Sequence, residues 1–144
     1  MRTEIDWRVD ENGMLLGLRV HDGHLMKLVA SDTSLEFTMR GLSNETFTVE
    51  LSDLGDFNVR ELWNGTIVAY FWVWKVHSVP EVTWSIPDSA WNVLFSNRIA
   101  GLEAKRKEAE KIAQARPEAF LVKFDSSYGG EVAVCAVVFA CSRT

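Results

Sequence analysis

The chain has 144 residues, 47% hydrophobic and 24% charged, a length and balance that fit one globular domain and exclude a largely disordered chain. Its net charge of −5 is uneven: residues 1–63 carry twelve acids against six bases, and residues 64–144 carry eight against nine. Phosphate binding needs clustered Lys and Arg, so nucleic acid is not expected as a partner.

The opening MRTEIDWRVDENG has no apolar run of signal-peptide type. No later stretch approaches the ~18 apolar residues that span a bilayer. The expectation is a soluble, cytoplasmic protein with no membrane contact. Met14–Val20 reads as the first strand, followed by an Asp22-Gly23 turn of hairpin type and a return over Leu25–Ala30. Leu35–Arg40 and Thr46–Leu51 alternate apolar and polar residues with period two, the mark of antiparallel strands with one wet face. Gly41–Glu45 joins them as a hairpin loop. Asp53–Asp56 is a break, and Phe57–Trp63 a further strand. Asn64-Gly65 is a second hairpin signal and leads into Thr66–Val76, TIVAYFWVWKV, which is apolar on both faces and therefore expected to be covered on both. The sequons Asn44-Glu45-Thr46 and Asn64-Gly65-Thr66 are read as turns.

Val79–Pro87 is a connection. The apolar period then lengthens to that of a helix, which Asp88 or Ser89 would cap and Gly101 weakens. Ser96 is a second candidate cap within this helix, whose firmest part is Leu102–Ala115, supported by Glu103 four residues before Lys107 and ended by Pro117. Phe120–Asp125 and Glu131–Cys141 complete the strands. The last is apolar almost throughout and should lie mid-sheet. Cys135 and Cys141 are six residues apart on it, roughly 20 Å along an extended chain, beyond the ~7 Å limit for a disulfide. Both thiols should be free and buried, as suits a reducing compartment.

Chemistry-bearing patterns are sparse. His21-Asp22-Gly23-His24 offers two imidazoles and a carboxylate, but its Asp-Gly makes a turn and His77 is distant in sequence. Asp53, Asp56 and Glu61 gather around a break. Lys105-Arg106-Lys107 is interleaved with Glu103, Glu108 and Glu110, the pattern of a solvated helix face. Ser126-Ser127-Tyr128-Gly129-Gly130 leads into a strand rather than a helix and lacks the lysine of a phosphate loop. No catalytic residue, metal ligand or cofactor site follows from these patterns.

The aromatic residues are more informative. Six Trp and eight Phe stand beside two Tyr. Tyr70, Trp72 and Trp74 share one face of a strand, Trp63 lies across the Asn64-Gly65 turn, and Trp84 and Trp91 flank the following segment. Packing against the helix accounts for such a row. The functional alternative is a pocket or protein-binding groove lined by Tyr70, Trp72, Trp74, Trp63 and Trp91, since Trp and Tyr dominate such surfaces.

The expected fold is α+β: a curved, mostly antiparallel sheet or partial barrel of seven to eight strands, with one long helix from the C-terminal half packed against it. In size, acidity and strand-rich layout the chain resembles the small bacterial immunity proteins. The missing catalytic constellation, the acidic N-terminal half and the aromatic excess point to a non-enzymatic cytoplasmic binding protein with a protein partner. The alternative is a small-ligand-binding protein or enzyme with an aromatic-lined apolar pocket between sheet and helix.

Overall fold

The computed structural model describes residues 2–60, 67–76, 85–96, 98–127 and 130–144. Strands β1 (Thr3–Ile5), β2 (Arg8–Val9) and β3 (Leu15–Leu16) are short. They precede β4 (His24–Ala30), β5 (Ser34–Arg40), β6 (Thr46–Arg60) and β7 (Val68–Lys75). Two helices follow, α1 (Asp88–Phe95) and α2 (Leu102–Ala115), and then β8 (Phe120–Ser126) and β9 (Glu131–Arg143). The main sheet runs in the order β4-β5-β6-β9-β8-β7, every pair antiparallel, with β1 attached to the end of β9. It curls into a half-barrel. Among the described residues no helix is long and apolar enough to cross a membrane.

β9 is central, as its unbroken apolar run implies: β6 lies along one side, β8 and β1 along the other. Its two faces serve two cores. Val132, Val134 and Ala136 face the inside of the half-barrel, which is filled by Phe37, Phe71 and Phe124 packed ring against ring at centroid separations of 5.0–5.6 Å. Ala133 and Cys135 face outward, where their small side chains let α1 and α2 approach the sheet. α1 buries Ala90, Trp91, Val93, Leu94 and Phe95 there, and α2 contributes Ala109 and Ala113 from one face. Asn58 Nδ2 donates to the Val93 carbonyl at 2.9 Å, tying α1 to β6.

Several sequence expectations are corrected. Met14–Val20 keeps only the two residues of β3, because Gly17 takes φ +100 and turns the chain out of the strand. Asp22-Gly23 makes a turn, with Asp22 at φ +62, but no hairpin. Its backbone pairs instead with Val68 (Asp22 N–H to Val68 O and Val68 N–H to Gly23 O, both 2.9 Å), so it bridges β4 and β7 at the mouth of the half-barrel. The break at Asp53–Asp56 is a bulge inside one continuous strand, β6. Arg116, just beyond α2, holds that bulge by donating to the Asp53 carbonyl and carboxylate. The expected single long helix is two, parted where Ser96 takes φ +52. α1 has no side-chain cap: Pro87 occupies the N-cap and Asp88 is already inside the helix. The Asn64-Gly65 turn lies outside the described residues.

Candidate functional site

The outer face of β7 departs most from expectation. Phe71 and Val73 point into the inner core at 3% exposure each, but Tyr70 is 42% exposed and Trp72 and Trp74 are half-buried. The main sheet contacts of α1 fall on β9 and β6, and of the row it is Trp74 that packs against the outer core. The row therefore stands half open.

Its rings are held in fixed orientations. Trp72 and Trp74 are parallel within 1° at a centroid separation of 6.0 Å, and Tyr70 leans on Trp72 at 5.5 Å. His21, carried there by the turn that pairs with Val68, stacks on Tyr70 at 5.1 Å and extends the row to four rings. Both indole N–H groups are satisfied internally: Trp72 Nε1 donates to Asp125 Oδ2 at 2.9 Å, and Trp74 Nε1 to the Asn12 carbonyl at 3.0 Å. The 12–14 segment runs beside β7, with Val73 N–H donating to Gly13 O at 2.7 Å and Met14 bridged to Trp72. Gly13 is required here twice over. It takes φ +90, and a Cβ on it would collide with the indole of Trp74.

At the Trp74 end the row opens into a cleft of about 500 Å³ between the β7–β8 surface and the turn entering α1. Trp72, Trp74, Lys123 and Asp125 form the sheet side, Pro87 and Ser89 the helix side, and Glu11 lies at the edge. The ladder register accounts for the grouping, since Trp72 lies opposite Lys123 and Tyr70 opposite Asp125. Lys123 is 9% exposed, and its ammonium meets Asp125 Oδ1 at 3.2 Å. Asp125 thus joins the lysine to the indole of Trp72. By contrast, the space between α1 and α2 amounts to about 10 Å³, at the lower limit for one water.

The remaining sequence candidates separate. Trp91 is buried in the outer core, stacked on Phe95 at 5.7 Å, and does not join the row. Trp63, Trp84, His77 and Glu61 lie outside the described residues. His21 Nε2 lies 3.6 Å from Asp22 Oδ2, while His24 begins β4. Among the described residues no three His, Cys, Asp or Glu converge as a metal site. Asp53 is engaged by Arg116 at 2.8 Å. Lys105 donates to Asn92 Oδ1 at 2.7 Å, and Lys107 faces Glu103 at 3.9 Å across one helical turn. Cys135 and Cys141 are free, buried, and lie in different cores. Burial pushes their thiols up to about 11 and about 12.

Sequence reading missed Lys123, Asp125 and the contribution of the 10–14 segment. One signal was present: Lys123 sits in FLVKFD, flanked by strand-forming apolar residues, where an ordinary surface lysine is out of place. Comparison with family models, curated proteins and solved structures finds no match to this chain.

Proposed function

We propose that this is a non-enzymatic binding protein of the cytoplasm that receives a protein partner on the outer face of β7. One observation carries the reading: a row of four rings, half open and already oriented, on a strand whose other face is spent on the core. Rigid Tyr and Trp surfaces lose little side-chain freedom on association, and such residues dominate the energetics of protein contacts. The row also outruns the cleft at its Tyr70–His21 end, which suits an extended segment. Exposed acids stand near both ends, Glu11 beside the cleft and Asp22 beside His21, and favour a basic partner surface. The resemblance to immunity proteins, which act by binding, is one of outline.

The test is isolation of the protein from cells of its source, with identification of what co-purifies, alongside a Tyr70→Ala/Trp72→Ala variant. The reading expects a protein in stoichiometric amount with the wild type and its loss with the variant. Recovery of no protein, together with turnover of a small metabolite, would overturn it. The second reading, a small-ligand site between sheet and helix, is favoured by one feature, the cleft itself.

A further inference from the structure

We infer that the protein associates with a second copy of itself along the open edge of β6, the two chains pairing antiparallel over residues 56–60 about a two-fold axis at Asn58. This edge is separated from the aromatic row by β9 and β8, and the inference stands whether or not the partner reading does.

The sheet leaves one stretch of edge uncovered. β5 accompanies β6 only as far as Ser34 opposite Ser52, whereas β9 follows it on the other side to Glu131 opposite Arg60. From residue 54 to residue 60, therefore, β6 has no neighbouring strand on its β5 side among the described residues. A strand with one neighbour presents peptide N–H and C=O groups on its open side, a template for another strand. The two outermost strands of the sheet are guarded. β7 carries the 12–14 segment, with Val73 N–H donating to Gly13 O. β4 has a bulge between Leu25 and Lys27, and Lys27 is exposed, both devices that discourage edge pairing. On β6 the bulge lies at the head of the stretch, where Arg116 takes the Asp53 carbonyl, and residues 57–60 run in unbroken register with β9.

The side chains define what fits. Phe57 and Val59 lie opposite Val134 and Val132, on the inner face of the sheet. Those valines are buried, yet Phe57 is 44% exposed and Val59 39%. Asn58 and Arg60 project from the outer face, Asn58 towards α1 and Arg60 to within 3.7 Å of Glu131. Asp56 is on that side too, bordering the same hollow as Cys135 of the outer core. The order along the edge is acid, apolar, Asn, apolar, base, which is complementary to itself when reversed. With the axis at Asn58, Asp56 of each chain faces Arg60 of the other, and Phe57 faces Val59. Directly opposed pairs of these kinds stabilise a sheet, and opposed like charges destabilise it. An axis at Phe57 would set Asp56 against Asn58 and Arg60 against Leu54; an axis at Val59 would set Arg60 against Asn58. Only the Asn58 axis uses both charges. The contact is isologous and closes as a dimer. Five paired residues make an interface below the usual ~1,200 Å², so the association is reversible, with a Kd on the order of 100 μM.

Sedimentation equilibrium of the full chain between about 10 μM and about 1 mM reads the monomer–dimer balance. The wild type is expected to pass from monomer to mostly dimer across that range. Asp56→Arg opposes like charges at both outer pairs, as does Arg60→Asp, and each should weaken dimerisation at least about tenfold in protein whose melting curve shows it folded. Mixing the two variants opposes unlike charges again at both pairs, so dimer should return with one chain of each kind. Should either variant fail to fold, Val59→Lys, which sets a charge against Phe57, is expected to give the same loss. A wild type still monomeric at about 1 mM, folded single variants that dimerise undiminished, or a mixture that stays monomeric would overturn the inference. The partner reading is decided separately, by the β7 variants.

Discussion

Two neighbouring residues on β7, Phe71 and Trp72, face opposite ways, and replacing each by Ala separates core from surface. Phe71 is 3% exposed and packs against Phe37 and Phe124. Its loss leaves a cavity that costs about 3–5 kcal/mol. A buried Trp would cost as much. Trp72, however, is half-buried, so its truncation forfeits about half of that burial, roughly 2 kcal/mol including the contacts to Tyr70 and Trp74. The hydrogen bond to Asp125 adds little, because the carboxylate keeps Lys123 and water can replace the indole. Urea unfolding measures both. With a slope of about 1–3 kcal/mol per molar, Trp72→Ala should lower the midpoint by about 1 M and remain soluble, while Phe71→Ala falls at least half as far again. A loss of 4 kcal/mol or more for Trp72→Ala (by order of magnitude the ~3–5 kcal/mol of a core Trp) would mean that the row is core and that the half-open face is misread.

Gly13→Ala should cost about 2–4 kcal/mol, combining a left-handed backbone with a clash against Trp74, and near-ultraviolet circular dichroism should report the displaced indole; an unchanged spectrum and melting point would contradict this. Arg116→Ala should cost about 1–2 kcal/mol by freeing Asp53 and the β6 bulge, read as faster amide exchange at residues 53–57; unaltered exchange there would refute the latch. Near pH 8 the native protein should leave both thiols unmodified by a disulfide reagent, while denatured protein yields two per chain; modification of native protein at the rate of the denatured chain would show them exposed. The same thiols predict alkaline sensitivity. Burial raises Cys135 to about 11 and Cys141 to about 12 from an ordinary 9.0, so the folded state holds these protons more tightly. The stability this contributes is complete below pH 9.0 and is lost as pH rises towards 11 and 12. Cys141→Ala should lose less of its urea midpoint between about pH 8 and pH 10 than the wild type does; an equal or larger loss would contradict the assignment.

What could be read in advance was local. Period-two alternation placed β5 and the first half of β6, the helical period placed Leu102–Ala115 to the residue, and the apolar run of β9 placed it mid-sheet. The row of Tyr70, Trp72 and Trp74 on one strand face followed from the same alternation. Features set by distant partners were not legible. The pairing of β1 with the C-terminal end of β9 joins residues at opposite ends of the chain. The Asp22-Gly23 turn carries ordinary hairpin chemistry, but its partner is Val68, a choice made by closure of the half-barrel. Asp53–Asp56 has the composition of a break and continues as strand because Arg116 holds it. Likewise, which face of β7 is left open depends on where α1 and α2 settle. The cleft needed the register that sets Trp72 opposite Lys123, and nothing in TIVAYFWVWKV or FLVKFD alone specifies that pairing.

The most direct test of the binding surface is calorimetry of the recovered partner against the wild type, Trp72→Ala and a control, Leu42→Ala, which alters a residue that is 75% exposed and remote in sequence from the row. If Trp72 is a contact centre, its truncation should weaken binding by at least 2 kcal/mol, about thirtyfold, in a variant shown to be folded, while the control binds as the wild type does. Undiminished binding by folded Trp72→Ala would place the partner elsewhere and contradict the assignment of this face.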